Sequence, residues 1–143
     1  MTNRELKSKV MALGNRLAAK GQDRSAAFVQ AWAIVKAGGL ELVVRGVSFG
    51  NRQEALRRLA EYEPAQVRAV LVPEPTNPAD PSAVAVMVGV QNGKGMYRLG
   101  YVPRNLASVV SALGGRLPAL RVVSGSRGWS KKTTYGARLA LAV

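Results

Sequence analysis

Apolar residues at the start of the chain recur at helical spacing, with Leu6, Val10, Leu13 and Leu17 on one face. Thr2 and Glu5 supply a capping-box pair in front of them, and Gly21 stops the segment. Asp23 can cap a second helix, in which Phe28, Ala31, Trp32 and Val35 form the buried stripe before Gly38 and Gly39 end it. A Trp at that spacing is expected to pack rather than to stack on a base. Residues 1–38 therefore read as a helical hairpin, an accessory element that covers a sheet edge or a partner.

From Leu40 the period falls to two. Leu40, Leu42 and Val44 alternate with Glu41, Val43 and Arg45, and Gly46 interrupts a strand that ends near Ser48-Phe49-Gly50. Asn51 and Glu54 can cap a short helix from Arg52 to about Tyr62, with Ala55, Leu56 and Leu59 inward and Arg57-Arg58 outward. Val67 to Val72 is the next predicted strand, and Ala83 to Val90 is a near-continuous apolar one. Asn92-Gly93 is a hairpin signal, so Tyr97 to Val102 should pair back antiparallel until Pro103 closes the strand. Arg104-Asn105 opens a second short helix that Gly114-Gly115 stops, and two last strands fall around Ala119 to Ser124 and Ala137 to Val143. These connections are too short for crossovers. The predicted class is α+β, mainly β: a small, curved antiparallel sheet or barrel of about six strands with two short helices over residues 40–143, behind the hairpin.

Composition narrows the chemistry. The 143 residues contain no Cys and no His, which removes disulfides, thiolate nucleophiles, imidazole bases and the usual zinc ligands. No metal and no cofactor is expected. The N-terminus is polar and no apolar run approaches a membrane span, so a cytoplasmic location is the expectation. The formal charge is +13, and it is unevenly placed: no acid follows Asp80, whereas Lys94, Arg98, Arg104, Arg116, Arg121, Arg127, Lys131, Lys132 and Arg138 do. Such a face attracts polyanions, nucleic acid being the commonest. The loop from Gly125 to Tyr135 interleaves Arg127, Trp129, Lys131 and Lys132, a mixture of cations and aromatic rings suited to a single strand.

The most informative stretch is Glu74-Pro75-Thr76-Asn77-Pro78-Ala79-Asp80-Pro81, which runs straight into the apolar strand. Three prolines fix φ, and Asn77 and Asp80 can close Asx-type turns, so the loop presents its side chains at little entropic cost.

Gly46-Val47-Ser48-Phe49-Gly50-Asn51-Arg52, the Glu-Pro-x-Asn-Pro-x-Asp element at Glu74 to Asp80, and Gly100-Tyr101-Val102-Pro103-Arg104 occur in that order. Together they resemble the HIRAN domain, a module of certain Snf2-type DNA-remodelling enzymes and a stand-alone protein in bacteria and phages, over Leu40 to Val143. The resemblance implies a modified OB-like barrel with two small helices that binds the 3′ end of single-stranded DNA. It further implies that Asp80 holds the terminal 3′-hydroxyl, that Ser48, Phe49, Gly50 and Tyr101 surround the last bases, and that Arg104 meets a phosphate. A carboxylate accepts from a terminal hydroxyl and repels a phosphate, so that assignment is physically coherent. The end-binding members carry an Arg and two aromatics where this chain has Ser48, Phe49 and Gly50. Arg52, Arg98, Trp129, Lys131 and Tyr135 are the candidates to compensate. For Phe49 and Tyr101 a place in the core is the competing assignment, and for Arg104 a solvated helix cap.

The function expected is that of a non-catalytic module binding DNA, above all single-stranded DNA, through a basic groove. The alternative is a protein-interaction factor of phage or mobile-element type that binds or inhibits a nucleic-acid-processing enzyme. A metal nuclease would have only Glu74 and Asp80 as clustered carboxylates.

Overall fold

The computed structural model describes residues 2–47, 50–91, 93, 95–113, 118–126 and 133–143. The chain divides into two compact units, residues 1–40 with 105–116 and 141–143, and residues 41–104 with 117–140.

The first unit is helical. α1 (Asn3–Ala19) begins with the expected capping box, in which Thr2 Oγ1 accepts from the Glu5 amide and the Thr2 amide donates to the Glu5 carboxylate. α2 (Arg24–Ala37) begins at Asp23, whose carboxylate accepts from the Ala26 amide, and ends at Gly38 in the left-handed conformation, φ 81°. Val10, Leu13 and Leu17 pack with Ala27, Ala31, Ile34 and Val35, and α4 (Ala107–Leu113) adds Val109, Val110 and Leu113 to this unit's core. The helices approach closely where Gly14 faces the Phe28 ring, because a Cβ there would overlap the ring. Trp32, expected in the buried stripe, instead stands 39% exposed with the Lys36 ammonium 5.5 Å from its ring centroid. The small Ala27 and Ala31 take the inward arc, and the large ring is left at its margin.

The second unit carries the middle strands whole and most of the first and last. β1 (Gly39–Val43) pairs in the order β1-β6-β5 with β5 (Ala119–Ser126) and β6 (Thr133–Ala142), while β2 (Val67–Pro73), β3 (Val84–Val90) and β4 (Tyr97–Tyr101) form a second antiparallel sheet in that order. The expected alternation holds at the start, with Leu42 and Val44 buried and Glu41, Val43 and Arg45 exposed. Among the described residues the six strands lie in two three-stranded sheets, neither closed into the expected barrel, with an isolated bridge between Arg45 and Tyr101 linking them. That bridge is why β1 stops at Val43 instead of running to Ser48, since Val44 still donates to Ala137 but Arg45 exchanges both backbone bonds with Tyr101. Gly100 permits the crossing, because a side chain there would collide with the Arg45 carbonyl.

α3 (Arg52–Leu59) buries Leu56 and Leu59 and ends before the expected Tyr62. Asn51 occupies its N-cap position without a side-chain bond, φ −90° and ψ 15°, so the anticipated cap is absent. Gln53 does the tying instead: its amide donates to the Tyr135 and Val47 carbonyls, and its oxygen accepts from the Tyr135 amide. Arg57 hydrogen-bonds Glu54 and, with Arg58 alongside, holds its carboxyl down at about 2. Arg104 enters α4 through a single 3-10 turn, Arg104–Leu106. Among the described residues no helix is long and apolar enough to cross a membrane.

Candidate nucleic-acid interface

The loop between β2 and β3 is built as its prolines and Asx residues require. Asn77 Oδ1 accepts from the amides of Ala79 and Asp80 at 2.9 and 3.2 Å, and Asp80 Oδ1 accepts from Ser82 at 2.9 Å. Backbone bonds from Glu74 to Ala83, Asn77 to Glu74 and Ala83 to Asp80 close it at its base. These six hydrogen bonds fix the loop before any ligand arrives.

Glu74 is the hub. Its side chain is 17% exposed; Oε2 lies 2.8 Å from Arg98 Nη2, and Oε1 accepts from Asn77 Nδ2 at 3.1 Å. The Tyr101 hydroxyl donates to the same carboxylate, and together with Asn77 and the nearby Arg98 charge it holds the Glu74 carboxyl below its ordinary range against the opposing effect of burial. A cavity of about 400 Å³ opens over this network, lined by residues 73–78 with Arg98 and Tyr101.

Arg98 and Tyr101 reach one side of the sheet through a bulge. Ala85 pairs with Tyr101 and Val86 with Gly100, but Met87 then pairs with Arg98, leaving Leu99 as the extra residue. Leu99 goes fully into the core, while the Arg98 guanidinium lies 6.0 Å from the Tyr101 ring centroid. Further along the same loop, and outside the cavity lining, Asp80 Oδ2 is 3.4 Å from Arg104 Nε, with side chains 23% and 80% exposed. A pair this open is worth about 0–1 kcal/mol, so it orients the guanidinium rather than stabilising the fold.

The structure thus gathers Asp80, Tyr101 and Arg104 around one loop and adds Arg98, Glu74 and Asn77. From the sequence Glu74 is the first residue of the loop motif and one half of a carboxylate pair, with no binding role assigned to it, and each of those two acids is answered here by an arginine. Gly50 and Arg52 do not line the cavity; Arg52 donates to the Gly46 carbonyl at 2.6 Å and so braces the turn that follows Arg45. Ser48, Phe49, Arg127, Trp129 and Lys131 lie outside the described residues. Among the described residues no three acidic side chains come together as a metal site. A larger cavity, about 550 Å³, opens beside α3 over Leu59 and Val88, and among the described residues none of the candidate DNA-contacting residues lines it.

No curated protein and no solved structure matches the chain. The family model described as HIRAN domain matches residues 40–116, which contain the three sequence elements, the β2–β4 sheet and the Glu74–Arg98 and Asp80–Arg104 pairs. HIRAN domains are DNA-binding modules, and by this match over more than half of its length the chain belongs to the HIRAN domain family.

Proposed function

We propose that the protein is a non-catalytic module that grips single-stranded DNA by its 3′-hydroxyl end. The observation that carries this reading is the Asp80 carboxylate, paired with Arg104 on the same loop whose residues 73–78 line the cavity together with Tyr101 and Arg98. Asp80 spends one acceptor site on Ser82 and one on Arg104, which leaves capacity for a hydroxyl. A terminal phosphate in the same place would face a negative charge, whereas an internal phosphate would find Arg104. Tyr101, half-buried and tied by its hydroxyl, offers a fixed face to a base, worth about 1–3 kcal/mol in stacking. In this reading Phe49 adds a second face and the Arg127–Lys131 loop further cations, the barrel is completed around the strand, and residues 1–38 are an accessory element.

Fluorescence anisotropy with oligonucleotides ending in a 3′-hydroxyl or a 3′-phosphate, and with a duplex, tests it on wild type and Asp80→Ala. The free 3′-hydroxyl strand should bind best, and Asp80→Ala should abolish that preference. Equal binding of all three ligands, unchanged by the substitution, overturns the end-binding reading.

A protein partner is the second reading, favoured by Val29 and Trp32, 71% and 39% exposed and one helical turn apart on α2. Tight binding to a nucleic-acid-processing enzyme in the absence of DNA would support it.

A further inference from the structure

The β2–β4 sheet has one face in the core and one in solvent. Alternate residues Ala69, Val86 and Val88 are 5%, 0% and 2% exposed. Their neighbours on the other side form cross-strand rows: Val72, Ala85 and Tyr101, where the small Ala85 is only 1% exposed; then Val70, Met87 and Arg98; then Arg68 and Gly89. The Met96 sulfur fills the space a Gly89 side chain would take, which puts Met96 in the last row. Val70, Val72 and Met96 are 38%, 41% and 44% exposed, an unusual concentration of aliphatic and thioether surface for a sheet face in water.

We propose that this outer face is the track on which the rest of a single strand lies, leading away from the end held at Asp80. The inference rests on the end-binding reading for its direction. Continuity is the first argument, since Tyr101 and Arg98 line the end cavity and also begin two of the rows. Chemistry is the second. Unpaired bases present apolar faces, which Val70, Val72 and the methionines can receive, methionine sulfur being favourable against aromatic rings. Arg98 in the middle row and Arg68 in the last stand on the two edge strands of the face for the phosphates, and among the described residues no ion pair engages Arg68. The rows from Val72 to Arg68 span four residues, roughly 13 Å of strand. A duplex hides the base faces this surface would receive and so gains only the charge.

The test compares a thymidine dinucleotide with a thymidine octanucleotide, each with a free 3′-hydroxyl, by anisotropy or calorimetry on wild type, Arg68→Gln and Val70→Asp. Wild type should bind the octanucleotide at least about tenfold more tightly. Both variants should lose most of that gain and keep the wild-type dinucleotide affinity, with circular dichroism and thermal melting showing an intact fold. An octanucleotide no tighter than the dinucleotide, or a length gain that survives both substitutions, overturns the track. A dimer in sedimentation that Val70→Asp dissociates, with the length gain intact, also overturns it and makes the face a protein contact. If the dinucleotide shows no preference for the 3′-hydroxyl over a 3′-phosphate, the end reading fails, while loss of the length gain in both variants still establishes the track.

Discussion

Arg98 and Tyr101 lie three positions apart on one strand yet stand side by side, guanidinium to ring centroid 6.0 Å. In a regular strand that spacing sends side chains to opposite faces. The bulge at Leu99 reverses the parity, and with it puts a cation and a ring over the same carboxylate.

Glu74 should therefore titrate below 4.5, its ordinary value. Tyr101 and then Asn77 donate to it, and Arg98 stands beside it, so the folded value is depressed relative to the unfolded one. The stabilisation is complete above the unfolded value and is lost as pH falls through the folded one. Side-chain carboxyl NMR shifts followed through acid titration check this. Tyr101→Phe should move the inflection upward, and an unmoved inflection would deny the tyrosine its part.

Gly100→Ala should destabilise the fold by about 1–3 kcal/mol. The added methyl would meet the Arg45 carbonyl and the Val44 side chain, where the two sheets are stitched together. Urea denaturation measures the loss, and backbone exchange at Arg45 and Tyr101 should accelerate most. A variant as stable as wild type would contradict the close approach.

Gln53→Leu should speed exchange of the Tyr135 amide roughly tenfold, equivalent to about 1.4 kcal/mol of local opening. Gln53 behaves as a substitute strand neighbour for Tyr135, 82 residues away in sequence, bonding both its amide and its carbonyl. Leucine conserves most of the bulk and removes both bonds. Hydrogen exchange by NMR reads the site directly, and an unchanged Tyr135 rate would show that the bonds are not maintained in solution.

The elements were legible because their periods differ cleanly. Val10, Leu13 and Leu17 mark a helix and Leu42 and Val44 a strand, and each is buried as its spacing demands. Trp32 was misread because α2 is apolar almost all round, so its pattern leaves the inward arc open until α1 is packed against it. Asp80, Tyr101 and Arg104 were legible as a motif, and the Asx turns at Asn77 and Asp80 followed from residue type. What the sequence could not show was the parity change at Leu99, because a bulge is decided by cross-strand register. Without that change Arg98 has no reason to meet Glu74, and the hub remains invisible.

Both arginines at the interface are already neutralised, Arg98 by Glu74 and Arg104 by Asp80. These acids are resident counter-ions, and a phosphate that engages either arginine must share it with one. The guanidinium is then only partly available to replace the strand's own cations. Net ion release per contact is smaller than about 0.7 of a cation, the value for a bare arginine on a single strand. For a chain of charge +13, affinity should therefore fall with salt more gently than a count of its cations implies, and selectivity passes from charge to geometry.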